Sequence, residues 1–337
     1  MRTTTSLLII LIIASSCTLK APPLPGPPNW TTSLSASHRL TGKIWSTTEK
    51  RFVAPSQIVA AAARSDYIFL GENHENPDHH RLQAWILRGL IDKGRRPAII
   101  FEMIEETRQS VLADYQNKNP LDAAGLGVAV GWEKTGWPAW PKYQPIADAA
   151  FEAGLPVVAG NPANHGKLLS APRRTRLGLD DSLPPGQQDA MLETIDAGHC
   201  RLVPKRHLTP MVSIQRARDA VLADNAQKAG VGSGGTPSDK NRGAVLILGA
   251  NHARKDYAAP AVLNRLHPRR TSLTMAFIEV DDELQTAAEY ARTFGGGTLP
   301  FDYIWFTPRA NNRDYCAELK QQFKKFKKHS PKPKTAP

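Results

Sequence analysis

Two segments of this 337-residue chain end in the same way. Tyr67-Ile-Phe-Leu-Gly-Glu-Asn-His74 and Val245-Leu-Ile-Leu-Gly-Ala-Asn-His252 are each an apolar run that breaks into Gly-x-Asn-His. A short aliphatic run stopped by glycine reads as a buried strand, so both histidines follow the carboxyl end of a strand. In open α/β sheets that edge is where ligands bind. A third run, Ala98-Ile-Ile-Phe-Glu-Met103, places Glu102 at its own carboxyl end. A lone histidine after a strand is commonly just a hydrogen-bonded loop residue. Two of them together with an acidic strand end point to one shared rim, where imidazoles, amides and a carboxylate can dock carboxylates or hold a divalent ion that activates water.

More ligand-type residues follow the first ending. Glu72, His74, Glu75, Asp78, His79 and His80 fall within nine residues, enough oxygen and nitrogen for a divalent cation or for propionate-like groups at a helix N-terminus. Asp78 has the residue type of an N-cap. His79 and His80 would point about 100° apart on a helix, which predicts that one of them is a surface or capping residue. Glu102 would be costly to bury unless paired; it suits a metal ligand, a general base or the orienter of a neighbouring histidine. Trp132, Trp137, Trp140 and Tyr143, interleaved with Pro138, Pro141 and Pro145, form an aromatic segment able to line a flat apolar cleft, and a tyrosine can ligate ferric haem. Aromatic clusters are more often core or lid packing, and composition alone does not make this one a haem site.

The elements that must position these residues alternate. A small hairpin over 43–53 and a short helix precede strand 67–71, helix 78–93, strand 98–103, helix 105–117, a Trp-rich helical stretch 121–153 and strand 156–160. The rhythm resumes with strand 244–249, helix 256–266, strand 272–280, helix 282–292 and strand 301–306. The expected fold is α/β, a mostly parallel sheet with helices on both faces. Residues 163–241 break the rhythm and read as a helical insertion or cap, with helices over 186–197 and 210–228. The Gly230–Asp239 segment reads as a flexible loop and no phosphate cradle, because no strand precedes it and no Gly-Lys-Ser/Thr follows.

The two ends set the cellular context. Residues 1–17 combine a charged start, an apolar Leu7–Ala14 stretch and small residues, the pattern of a secretory signal too short for a membrane span. Ala14-Ser-Ser-Cys17 resembles a bacterial lipobox, which predicts lipidation at Cys17 and an exported, cell-envelope lipoprotein of the outer membrane. Residues 18–38 are a Pro-rich spacer, expected to hold the domain off the membrane as a semi-rigid tether. The domain itself spans 39–310. Residues 311–337 form a basic tail, expected to be solvated and disordered, with seven lysines from Lys320 onward and no acidic residue among them. Those seven lysines account for more than half of the formal net charge of +12. The folded part has no concentrated basic stripe, which argues against nucleic-acid binding. Besides Cys17 the chain has Cys200 and Cys316, free to pair in an exported protein but not spaced as a metal-thiolate or redox site.

At these residues the chain resembles the ChaN-like haem-binding lipoproteins of the Tiki, TraB and erythromycin-esterase-like superfamily. The resemblance rests on Leu70-Gly-Glu-Asn-His74, Asp78-His79-His80-Arg-Leu-Gln83, Phe101-Glu102-Met103, Tyr143-Gln-Pro145, Gly160-Asn161-Pro162 and Leu248-Gly-Ala-Asn-His252. It implies haem bound in a hydrophobic cleft and a part in iron uptake. It also implies Tyr143 as the iron ligand, with Glu72, His74, His79, His80, Asn161 and His252 around the cofactor, and a homodimer sandwiching two haems. No catalysis is expected on this reading. The alternative it implies is a metal-dependent hydrolase, peptidase or esterase, in which His74, His252 and Glu102 hold a divalent ion. Ala253 and Arg254 depart from the smaller or apolar residues expected after the second ending.

Overall fold

The computed structural model describes residues 25–167, 169–231 and 243–329. The signal segment, Cys17, most of the Gly230–Asp239 loop and residues 330–337 lie outside them. Strands β1 (Ile44–Ser46) and β2 (Arg51–Val53) form the hairpin, followed by α1 (Pro55–Ala63), β3 (Tyr67–Glu72), α2 (Pro77–Asp92), β4 (Ala98–Glu105), α3 (Gln109–Lys118), α4 (Leu126–Ala129), α5 (Gln144–Glu152) and β5 (Val157–Asn161). The helical insertion holds α6 (Ala171–Arg176), α7 (Pro185–Gly198) and α8 (Lys205–Val231). Then come β6 (Ala244–Gly249), α9 (Ala259–Leu266), β7 (Ser272–Glu279), β8 (Tyr303–Thr307) and α10 (Tyr315–His329). The helix expected over 282–292 is instead a 3-10 stretch at Ala287–Phe294, capped by Thr286 and Glu289.

The fold is α/β, one eight-stranded sheet in the order β2-β1-β8-β7-β3-β6-β4-β5, parallel except where β1 pairs with β2 and β8. The buried strands are the aliphatic runs, and alternation sorts their side chains to two faces. Ile68, Leu70, Phe101, Val245 and Ile247 join the core beneath α1, α2 and α5, while Tyr67, Phe69, Ile100, Leu246 and Leu248 join the core beneath α8 and α9. β6 lies between β3 and β4, so the second ending sits between the first ending and Glu102. β3 runs out to β4 and β5 on one side, and the returning chain passes to β7 and β8 on the other. That reversal opens a crevice at the carboxyl ends of β3, β6 and β4.

Three expectations at the edges need correcting. Residues 25–38 are no free tether: Trp85 donates its indole N–H to the Pro25 carbonyl at 2.8 Å, and Trp30 packs on the core. Asp78 does not cap α2. Asn76 does, accepting the Asp78 N–H at 3.0 Å with Pro77 at the first helical position, and the Asp78 carboxylate turns outward to accept from the backbones and hydroxyls of Thr31 and Thr32 at 2.6–3.1 Å. The Pro-rich segment is therefore stapled to α2, although its composition alone could not bury a core. The basic tail is helical over α10, because its Leu319 and Phe323 recur at helical spacing and Cys316 is joined to Cys200 by a disulfide. That bond ties the tail to the insertion across 116 residues of sequence, with a Cα–Cα distance of 5.5 Å.

Candidate functional site

The two Gly-x-Asn-His endings meet over the crevice, and the glycines explain how. A Cβ on Gly249 would stand 2.9 Å from His74 Nε2 and 3.7 Å from Glu102 Oε2, and one on Gly71 would stand 2.8 Å from the Ala250 Cα and the Ala253 Cβ. At Gly71 only a bare backbone fits where the two strand ends cross, whereas at Gly249 a side chain would have to push the His74 ring aside. Ala253 is thus a packing residue against Gly71. Arg254 is buried behind it, paired with Asp256 at 2.7 Å and lying over the Tyr257 ring at 4.4 Å, so both close the back of the site and neither shapes its mouth.

On the α2 and α5 face sits a buried polar cluster built around Glu72. Its Oε1 accepts from His74 Nδ1 at 2.8 Å and from the Tyr143 hydroxyl at 3.0 Å, and its Oε2 lies 3.3 Å from His80 Nε2. Burial would raise the Glu72 carboxyl, but the His80 charge and the His74 hydrogen bond together drive it well below the carboxylate range. His74 is raised in turn: burial works against its charged form, and the Glu72 hydrogen bond and the Glu102 charge outweigh that. Neither His79 nor His80 is a surface residue, because the first turn of α2 is wedged between the end of β3 and its neighbours on both sides. The His80 ring stacks on Tyr143 at 4.0 Å. His79 Nδ1 accepts the Asn73 N–H at 2.9 Å and its Nε2 donates to the Thr307 hydroxyl at 2.8 Å, a pattern that only the neutral ring satisfies. Burial accordingly pushes His79 down to about 3.

On the α8 face the centre is Glu102. It accepts the Gly249 N–H at 2.6 Å and pairs with Arg218, and its Oε1 lies 3.3 Å from His252 Nε2. Despite burial, His252 and Arg218 hold the Glu102 carboxyl below its usual value. The other nitrogen of His252, Nδ1, faces Asp219 at 2.7 Å and Gln215 at 3.0 Å, and burial raises the Asp219 carboxyl. Arg218 also donates from Nε to the Asn161 side-chain oxygen at 3.2 Å. His74, Glu102, His252 and Asn161 therefore share one neighbourhood, each imidazole carrying a carboxylate on Nδ1.

Sequence reasoning missed Gln215, Arg218 and Asp219. They lie on α8, which packs its Leu222, Ala223 and Ala226 into the sheet and aims this polar patch one to two turns earlier at the strand ends. Polar residues at 215, 218 and 219 in line with the apolar 222 were the available signal.

Beside the cluster opens a cleft of about 510 Å³ lined by Met103, Ile104, Val130, Trp132 and Trp137 on its apolar side and by Arg108, Lys134, Arg218, Asn161 and one carboxylate, Glu105, on its polar side. His74 borders it through its ring contact with Trp137 at 4.6 Å. Of the aromatic segment, Trp132 and Trp140 are core residues and Trp137 is half-buried. Tyr143 does not face the cleft. It is fully buried, its hydroxyl is committed to Glu72, and burial with the Glu72 charge raises its pKa far above the ordinary phenol value. An iron ligand at this position would need the phenol freed from both. The divalent-ion arrangement does not form either: among the described residues no three His, Cys, Asp or Glu side chains are disposed to hold a metal, since Arg218, His252 and the Gly249 N–H already surround Glu102.

A family model described as haem-binding uptake, Tiki superfamily, ChaN, matches residues 58–263, more than half of the chain. The chain belongs to this family. The matched span runs from within α1 to within α9 and contains every residue of the site just described except Thr307. Among solved structures, ChaN of Campylobacter jejuni, reported with cofacial haem binding, superposes with a TM-score of 0.56 at 19% identity, covering 78% of this chain and 95% of that one. The erythromycin esterase EreC in an open conformation matches at 14% identity and a TM-score of 0.40, covering 75% of this chain and 77% of the esterase. The type III effector HopBA1 matches at 13% and 0.40, covering 74% and 91%. No curated protein sequence matches the chain. Haem binding is thus the property of the family; among the described residues no helix is long and apolar enough to cross a membrane.

Proposed function

We propose that this protein binds haem in the cleft beside the paired strand endings and serves haem or iron uptake at the cell envelope. The observation that carries the reading is the lining: a wall of Met103, Ile104, Val130, Trp132 and Trp137 faces a polar side with Arg108, Lys134 and Arg218. A flat apolar macrocycle bearing two carboxylates needs both halves of that lining. The cations would take the propionates and the aromatic wall the ring face. With Tyr143 sealed behind Glu72, His74 is the nitrogen ligand bordering the cleft, and Glu72 on its Nδ1 fixes the orientation of the ring. The Cys200–Cys316 disulfide suits an oxidising compartment and so supports export, with lipidation at Cys17 supplying the anchor. A homodimer pairing the exposed cleft mouths would complete the enclosure of the ring.

Haemin titration of the chain beginning at Thr18 tests this directly. A saturable Soret band is expected, weakened in Lys134→Ala and lost in His74→Ala; a flat titration of the wild type overturns the reading. The oriented imidazoles also favour a second reading, acid–base hydrolysis in which His74 and His252 act around Glu102. Turnover of ester or peptide substrates that survives chelation and falls in both His74→Ala and His252→Ala would establish it.

A further inference from the structure

Helix α10 projects an almost uncovered surface. From Tyr315 to Lys325 every residue is exposed except Glu318, Leu319 and Phe323, which are half-buried. Leu319 and Phe323 join none of the hydrophobic clusters of the described core. At about 100° per residue, Tyr315, Cys316, Leu319 and Phe323 fall in a single stripe, and Lys320, Lys324 and Lys325 fall on the rest of the circumference. The helix's one acidic side chain, Glu318, is paired with Arg313, and the sequence from Lys320 to its end adds lysines and no further acid. A merely solvated tail has no need of an apolar stripe, and a helix bound for a protein core would not carry so many lysines beside it. The disulfide at Cys316 fixes the start of this helix to the end of α7, so its stripe has a set orientation relative to the body.

We infer that α10 is a membrane-surface helix, lying in the plane of an anionic bilayer with the Leu319–Phe323 stripe in the headgroup region and the lysines against lipid phosphates. Both halves of this pattern define such a helix: apolar area enters the interface, and positive charge selects anionic lipid. The contact is independent of acylation at Cys17. It would hold the domain flat on the membrane from its carboxyl-terminal side, whereas the Pro-rich segment leaves from α2.

The test uses the chain beginning at Thr18, which keeps every described element and the disulfide but lacks the acylated cysteine. It is floated with vesicles of phosphatidylglycerol and phosphatidylcholine, and with vesicles of phosphatidylcholine alone. Binding to the first and not the second is expected, weakening as salt is raised. Lys320→Gln/Lys324→Gln should lower the apparent affinity roughly 30-fold, about fivefold per lysine. Phe323→Ser should release the protein at unchanged charge, with thermal unfolding of the body unaltered. Failure to float with anionic vesicles overturns the inference. So does a Phe323→Ser protein that floats like wild type or binds heparin and duplex DNA as well as vesicles, because that outcome leaves only a charged tail. Loss of a solution dimer in Phe323→Ser without any vesicle binding would assign the stripe to a second copy and overturn it as well.

Discussion

Glu72 and Asp219 do the same job on opposite faces of the sheet, each carrying the Nδ1 of a histidine from a strand ending. Tyr143 serves the first of them. Tyr143→Phe removes the hydroxyl that Glu72 accepts and should cost about 1–3 kcal/mol, because a buried carboxylate loses a donor. The haem spectrum of that variant should keep the wild-type Soret position; a shifted band would show that the phenol leaves Glu72 and ligates iron. His79 makes a pH prediction. Its folded pKa near 3 lies below its value of about 6.5 in the unfolded chain, with His80 and His74 opposing its protonation and Glu72 and Asp78 favouring it. Its contribution to stability is complete above pH ~6.5 and is lost as pH falls from there toward 3, because only the unfolded state takes up the proton. His74 works in the opposite direction, since its raised pKa stabilises the fold at low pH and that contribution fades as pH rises through it. Urea unfolding should therefore show stability dropping by several kcal/mol (on the order of 1.4 per pKa unit) between pH 6.5 and 4. The drop should flatten in His79→Gln; an unchanged slope would assign acid lability elsewhere.

At the scale of elements, the site depends on how closely two strand ends approach. Gly71→Ala would drive a methyl against the Ala250 backbone, which cannot move without shifting the second ending, and should cost about 1–3 kcal/mol as an overpacking strain. Gly249→Ala meets only the tip of the His74 ring, which can swing aside. It should displace the His74 ring relative to Glu72, cost about 1–3 kcal/mol for the lost donor to that buried carboxylate, and weaken haemin binding, which Gly71→Ala should not. The contrast between the two, read by thermal unfolding and titration, separates packing from ligand placement. The Cys200–Cys316 bond spans the body but ends in an exposed helix. Loop entropy alone would assign it about 4–5 kcal/mol, but α10 can detach while the sheet stays folded. Cys200→Ser/Cys316→Ser should consequently lose no more than ~2 kcal/mol, and a larger drop in Tm would mean that α10 folds cooperatively with the sheet.

For the whole molecule, the proposed export, anchoring and pairing can be tested together. A Cys17→Ser chain should still reach the envelope fraction through α10 and become soluble only when Lys320 and Lys324 are replaced as well. Membrane retention of that triple variant would point to an additional anchor. Haem loading should convert a monomer into a dimer if two cleft mouths close over the cofactor, a change that sedimentation velocity resolves.

The central strands β3, β4, β5 and β6 were legible because each carries a short apolar run, and burial of such runs on both faces favours a parallel sheet. The paired Gly-x-Asn-His endings likewise announced a common rim, since strand direction alone places both histidines at carboxyl ends. Strand order, in contrast, was decided by packing: nothing local in β6 says that it inserts between β3 and β4. The long-range partners were decided there too. Gln215, Arg218 and Asp219 reach Glu102 and His252 only because α8 folds back across the sheet, and Thr31 and Thr32 reach Asp78 only because the Pro-rich segment docks on α2. Tyr143 is the sharpest case. Its residue type suits an iron ligand, but whether a phenol faces a cleft or a buried carboxylate depends on the residues opposite it, and Glu72 is 71 positions away in the chain.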